Sequence, residues 1–137
     1  MSDPAIAVAH AFIRAINRQD PEAIANLMTS QHRFTDSLGN VFQSREAMRE
    51  GWTAYFRSVP DYSLAIEESY AEGPTVVMLG VAQGTYSSDG TLQEENRWKT
   101  PVALRALVED GLIAEWQVYA DNEPIREKMR RAVSAKS

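Results

Sequence analysis

Cysteine is absent from the chain. Its absence excludes disulfides, zinc–thiolate sites, iron–sulfur clusters and thiol nucleophiles, and it fits a reducing compartment. A basic surplus is also missing: 14 Lys and Arg stand against 19 Asp and Glu, for a net charge of −5. Nucleic-acid binders carry a basic excess or stripe, so no nucleic-acid partner is expected. No apolar run approaches the roughly 18 residues of a membrane span. The longest, Val76–Ala82, contains Gly80 and suits a buried strand. No membrane partner is expected either. The start, Met1-Ser2-Asp3-Pro4, lacks the basic and apolar regions of a signal peptide, and a cytoplasmic protein is the expectation. There is no glycine-rich phosphate loop, no GxSxG elbow and no HExxH. What remains is 137 residues, 44% apolar and 24% charged. That composition is ordinary for one globular domain, residues 1–137, with enough chain to bury a core unaided.

Helical signals come first. Ile6, Ala9, Phe12, Ile13 and Ile16 recur at three- and four-residue spacing and make one apolar face. Asp20-Pro21-Glu22 restarts a helix, with a capping acid, a proline suited to the first helical position and an acid at the positive end. Ile24, Leu27 and Met28 continue it. His32, Phe34 and Asp36 alternate with Arg33 and Thr35, which predicts a short strand ending at the turn Asp36-Ser37-Leu38-Gly39-Asn40. Ser44 caps a third predicted helix carrying Ala47, Met48, Trp52, Tyr55 and Phe56, closed by Pro60.

Strand signals follow. Tyr62, Leu64 and Ile66 alternate with polar residues. Thr75–Tyr86, Asn96–Val108 and Leu112–Ala120 read as long strands. Glu72-Gly73-Pro74, Ser87-Ser88-Asp89-Gly90 and Glu109-Asp110-Gly111 read as the turns between strands. A final helix starts near Glu123, and Arg126, Lys128, Arg130, Arg131 and Lys136 make its last turns basic, against the single Glu127. Helices first and a meander later predict an α+β fold. The apolar meander exceeds what three helices can cover, so a homodimer is expected.

The residues Ala15-Ile16-Asn17-Arg18-Gln19-Asp20-Pro21-Glu22-Ala23-Ile24, Phe34-Thr35-Asp36-Ser37-Leu38-Gly39 with Ser44-Arg45-Glu46-Ala47-Met48-Arg49, and Asp110-Gly111-Leu112-Ile113-Ala114-Glu115-Trp116 with Tyr119-Ala120-Asp121 carry a family likeness. Through them nearly the whole chain resembles the nuclear transport factor 2-like superfamily, and within it the SnoaL-like polyketide cyclase and ketosteroid isomerase group. The resemblance implies a cone-shaped, curved antiparallel (mixed) sheet wrapped by three N-terminal helices and a C-terminal helix. An interior pocket and a dimer across the sheet are also implied.

The same resemblance places Asp36 where the isomerases keep a general-base aspartate, opposite an oxyanion hole of tyrosine and protonated aspartate. The positions matching that oxyanion pair are Phe12 and Ala103, which carry no donor, so an authentic ketosteroid isomerase is not expected. Asp36 can also organise its own turn. His32 shares a strand face with Asp36 and could shuttle protons; it could equally be a partly exposed strand-start histidine. Asp121 reads either as a pocket acid, as in some SnoaL-like cyclases, or as a helix cap. Related epoxide hydrolases place an aspartate where this chain has Val118. Arg105, in an apolar strand, could hold a carbonyl or anionic substrate, or face the far side of the sheet.

Phe12, Trp52, Tyr55, Phe56, Tyr86, Trp98, Trp116 and Val118 complete the candidate pocket wall. A metal site is not expected: His10 is the only other histidine and has no clear reason to approach His32. The expected function is cofactor-independent isomerase or cyclase chemistry by carboxylate acid–base catalysis on a small apolar carbonyl compound. The alternatives are non-catalytic small-molecule binding and protein association.

Overall fold

The computed structural model describes residues 3–136. Met1, Ser2 and Ser137, and the side chains of residues 133–136, the expected basic Lys136 among them, lie outside what it describes. Its elements are α1 (Pro4–Asn17), α2 (Pro21–Asn26), β1 (Met28–Thr35), β2 (Val41–Gln43), α3 (Arg45–Ser58), β3 (Ser63–Glu72), β4 (Thr75–Thr85), β5 (Arg97–Glu109), β6 (Leu112–Ala120) and α4 (Glu123–Lys136). The six strands form one sheet in the order β2-β1-β6-β5-β4-β3. All neighbours are antiparallel except β1 and β6, which run parallel.

Local chemistry sets the helix starts. Asp3 accepts hydrogen bonds from the Ala5 and Ile6 amides, and Asp20 from the Ala23 amide. Each is followed by a proline, whose fixed φ and missing N–H suit the first turn. Ser44 caps α3 through a 3.1 Å bond from the Ala47 amide to its Oγ. Its own backbone, at φ 102°, lies in the left-handed region that disfavours a side chain. The β5–β6 hairpin turns on Asp110 (φ 52°) and Gly111 (φ 76°), the positive-φ pair a tight hairpin requires.

Helix α1 buries Ala9, Phe12, Ala15 and Ile16 against the sheet, together with Ile24 from α2 and Met78, Leu104 and Ile113 from the strands. Asn17 pins α1 to edge strand β3: its amide nitrogen donates to the Leu64 carbonyl at 2.9 Å, and its oxygen accepts from the Leu64 amide at 2.8 Å. A bulge between Ile66 and Glu68 bends β3 across β4. Opposite it the backbones close so tightly that a Cβ on Gly80 would lie 2.0 Å from the Ala65 carbonyl oxygen. The helices therefore cover one concave face. The other face exposes Tyr70, Val77, Leu79 and Tyr119.

Two boundaries differ from the sequence reading. Met28, expected to extend α2, begins β1, because α2 closes after six residues at Asn26. Strand β2 falls where only a loop was expected. Its three residues are all exposed and carry too little alternation to register as a strand, yet they pair with Arg33–Thr35 across the Asp36–Asn40 turn. Among the described residues, no helix is long and apolar enough to cross a membrane.

Candidate functional site

Between the concave face and α3 lies a cavity of about 360 Å³. Alternation along the strands builds its floor: Trp98, Thr100, Val102 and Leu104 from β5, and Trp116, Val118 and Ala120 from β6. Phe34, Leu64 and Ala82 add one residue each from β1, β3 and β4. Helix α3 contributes Ala47, Met48, Gly51, Trp52 and Tyr55, at the three- and four-residue spacing that keeps side chains on one helix face. Tyr62 enters from the loop before β3 and Phe42 from β2. A polar rim of Asp36, Ser37 and Asn122 completes it. Asn122 donates to Ser37 Oγ at 2.6 Å, tying the β1–β2 turn to the start of α4.

Among the described residues, Asp36 is the sole carboxylate that lines the cavity, and no Lys, Arg or His lines it. Its Oδ1 accepts from the amides of Leu38 and Asn40, each at 2.9 Å, and its Oδ2 from the Asn40 side chain at 3.1 Å. Desolvation pushes this carboxyl up, but bonds from the Asn40 backbone and side chain and from the Leu38 and Gly39 amides outweigh it. They hold Asp36 below the ordinary aspartate range. The group is thus ionised at neutral pH, and most of its acceptor capacity is used by its own turn. The raised pKa expected of a base in an apolar cone is not what this environment produces.

Four rings form the deep wall. Tyr62 stands 6.4 Å from Trp52, 5.0 Å from Tyr55 and 6.1 Å from Trp98, centroid to centroid. Burial pushes both tyrosine hydroxyls far above their usual range, Tyr62 further through its charge interaction with Tyr55. They remain protonated and can act only as neutral hydrogen-bonding groups. The indole N–H groups of Trp52 and Trp98 are buried without a partner.

The structure brings Asp36, Trp52, Tyr55, Trp98, Trp116 and Val118 to this cavity, as the sequence reading placed them. The other candidates lie elsewhere. Phe12 is fully buried and packs on Trp116 at 4.7 Å, behind the cavity floor. Phe56 stacks behind Trp52 at 5.5 Å, and Tyr86 follows β4, its amide bonded to the Asn96 carbonyl. Arg105 points to the opposite face and pairs with Glu115 at 3.2 Å.

His32 is neither exposed nor in the cavity. It is fully buried beside Phe12, with Nδ1 2.8 Å from the Ile113 carbonyl. Desolvation lowers its pKa against the opposing effects of that bond and of Glu115. Asp121 is exposed, and its carboxylate accepts the Glu123 amide at 2.9 Å, the capping role; its neighbour Asn122 reaches the rim instead. His10 bonds Ser69. Among the described residues, no three His, Asp or Glu side chains are grouped to hold a metal.

Sequence reasoning missed Phe34, Phe42, Tyr62, Thr100 and Asn122. Trp98, Thr100 and Val102 share a strand parity, so alternation from Trp98 was the available signal for Thr100. Phe42 had no such signal because its strand was not legible.

Residues 9–116 match the model of the SnoaL-like domain, and the chain belongs to that family. A solved SnoaL-like polyketide cyclase candidate from Shewanella putrefaciens is similar at 14% identity, with a TM-score of 0.80 over 96% of this chain and 99% of that one. A candidate polyketide cyclase from Xanthomonas campestris is 21% identical, with a TM-score of 0.79 over 91% and 96%. A nuclear transport factor 2-like protein from Burkholderia thailandensis is 19% identical, with a TM-score of 0.76 over 94% and 98%. At such identities the likeness establishes the nuclear transport factor 2-like fold and leaves the chemistry to the residues. No curated protein matches the chain significantly.

Proposed function

We propose that the chain binds one small, largely apolar carbonyl compound in this cavity and acts on it by cofactor-independent proton transfer of the isomerase or cyclase type, with Asp36 as the base. The observation that carries the reading is a carbon-lined cavity with one ionised carboxylate at its rim. Family membership supports the same class of chemistry. The base is weak, because its turn stabilises the anion, so it suits carbon acids already activated by a carbonyl. The tyrosine hydroxyls of the wall are the neutral groups that could support the resulting enolate.

The test is deuterium incorporation from heavy water at the acidic carbon of 2-tetralone, followed by NMR. The chain should accelerate exchange, and Asp36→Asn should abolish the acceleration while the ketone still binds. Equal acceleration by the variant would remove Asp36 from the mechanism. The engagement of Asp36 in its turn favours a second reading, a binding module without catalysis. Binding with no exchange in the unmodified protein would select it.

The outer sheet face belongs to the same proposal. Tyr70, Val77, Leu79 and Tyr119 are exposed there around the Arg105–Glu115 pair. A face carrying both charges and apolar side chains can complement itself across a two-fold axis, which supports a homodimer. Light scattering should return twice the chain mass, and Tyr119→Arg should return the monomer. A stable monomer at micromolar concentration for the unmodified chain would refute it.

A further inference from the structure

Apart from proline, glycine is the least favourable residue in a helix interior, because it has the most chain freedom to lose. Gly51 is the seventh of the 14 residues of α3. Three structural demands can put a glycine inside a helix: a left-handed backbone, a neighbouring chain too close for a Cβ, or a nearby helix end. None applies to Gly51. The glycines with positive φ are Gly39, Gly73, Gly90 and Gly111. Beyond the helix backbone itself, a Cβ on Gly51 would first meet Met48 Cε at 3.9 Å, an ordinary contact, whereas at Gly80 it would meet a carbonyl oxygen at 2.0 Å. Helix α3 runs on to Ser58. A side chain at 51 would therefore fit the fold and strengthen the helix.

What such a side chain would take is room in the cavity. Gly51 lines it, and so do Ala47 and Tyr55, four residues before and after on the same helix row. A side chain at 51 would thus project between two lining positions. Long side chains in a helix lean back over the preceding turn. Here that turn holds Ala47 and Met48, which line the cavity as well. At about 360 Å³ the cavity is near the lower end of the range for small-molecule sites, so volume lost at 51 is volume lost to the ligand.

We propose that Gly51 is the size-determining residue of this cavity: its missing side chain keeps a subsite open, and an apolar part of the ligand lies there against the bare backbone of α3. The inference rests on the cavity being a ligand site, as argued above, but not on any proton transfer occurring there.

The test uses two ketones of different size, cyclohexanone and 2-tetralone, with the variants Gly51→Ala and Gly51→Leu. Ala54→Leu is the control, an exposed position of α3 that does not line the cavity. Dissociation constants are measured by NMR titration. Gly51→Ala should raise the melting temperature by about 2–5 °C. Gly51→Leu should weaken 2-tetralone roughly tenfold or more, the effect of overfilling a packed site. The smaller ketone should lose less, so the ratio of cyclohexanone to 2-tetralone dissociation constants should fall at least about fivefold. That ratio cancels any general loss of binding, and Ala54→Leu should leave it unchanged. In the unmodified protein, nuclear Overhauser contacts should join the Gly51 α-protons to ring protons of bound 2-tetralone.

A ratio unchanged in folded Gly51→Leu, or lowered equally by Ala54→Leu, would overturn the proposal while leaving the pocket reading intact. So would bound 2-tetralone whose ring protons contact other lining residues and not Gly51. A melting temperature not raised in Gly51→Ala would show that the glycine serves the fold, and would overturn it too. Binding of neither ketone to the folded, unmodified protein would remove the pocket reading and this proposal together. If Gly51→Leu fails to fold, the contacts of Gly51 in the unmodified protein and the melting temperature of Gly51→Ala decide the question.

Discussion

Replacing Asp36 with asparagine separates the structural and chemical roles of that residue, because the substitution keeps the shape and removes the charge. The carboxylate accepts three hydrogen bonds of 2.9, 2.9 and 3.1 Å within five residues of chain. Asparagine can still offer one oxygen to the Leu38 and Asn40 amides. Its NH₂ group would then face the Asn40 side-chain NH₂, two donors with no acceptor between them, so one of the two must turn away. Charge-assisted bonds are roughly twice as strong as neutral ones, and the net loss from weakening three of them could reach several kcal/mol in a buried site. This turn is largely exposed, and solvent screening removes most of that. The expected cost is about 1 kcal/mol, a fall in melting temperature of roughly 3–5 °C for a chain of this length.

The sign of the pH dependence follows from the lowered pKa. The folded state holds the proton less tightly than the unfolded chain does. Asp36 therefore contributes stability above the unfolded aspartate value, and the contribution disappears as pH falls through the folded value. The gap in melting temperature between the two proteins should be constant near neutrality and should close below about pH 4. Thermal melts across pH 3–7 measure this, and an NMR titration of the Asp36 carboxyl gives its pKa directly. A value above the ordinary aspartate range, with no loss of stability in the variant, would refute the reasoning. The carboxylate would then be facing the cavity and free of its turn, a stronger base than proposed here.

Other substitutions probe the frame around the cavity. Ser44→Gly should stabilise the protein by about 1 kcal/mol in chemical denaturation, because relief at φ 102° is worth more than the few tenths lost when glycine replaces a serine cap. Gly80→Ala should destabilise it by about 3 kcal/mol or more, because the new methyl would meet the backbone oxygen of Ala65 and the β3–β4 pairing would have to open. His32→Leu should cost about 1–3 kcal/mol at pH 7.5 by stranding the Ile113 carbonyl. It should also flatten the acid dependence. The folded pKa of His32 is lowered, so the wild-type contribution is present above the unfolded value near 6.5 and is lost as pH falls through the folded one. An identical slope of melting temperature against pH in the two proteins would show that His32 is not the titrating group.

The helices and long strands were legible because each is written in strictly local chemistry. Asp20-Pro21-Glu22 encodes a helix start whatever surrounds it, and Leu112–Ala120 alternates because one face of β6 meets the core. The cavity was legible only where it borrowed those periodicities, as with Trp52 and Tyr55 on α3 and Trp116 and Val118 on β6. Placement failed where side-chain direction depends on long-range pairing. His32 does lie on the inner side of β1, but a register break between Met28 and Arg33 and the packing of Phe12 place it in the core, away from the rim. Arg105 has the outward parity, which Val102 and Leu104 already imply once Trp98 is known to face inward.

The same contrast bears on where the chemistry of this cavity resides. A reading led by charged residues selects Asp36, His32, Asp121 and Arg105, since those are the groups that titrate or bind ions. The fold employs three of them in its own structure: His32 on a carbonyl, Asp121 on a helix start and Arg105 in an ion pair. Asp36 is mostly committed to its turn. The neutral donors of the wall, the Tyr55 and Tyr62 hydroxyls, belong to aromatic side chains, which a sequence reading assigns to packing. A ring with one hydroxyl at its edge satisfies both demands, since the ring fills the wall and the O–H remains protonated. In a site where the one charge is largely neutralised by its own backbone, selectivity then rests on shape and neutral donors. The ligand's own carbonyl, rather than a strong protein base, must supply most of the activation for any proton transfer that occurs there.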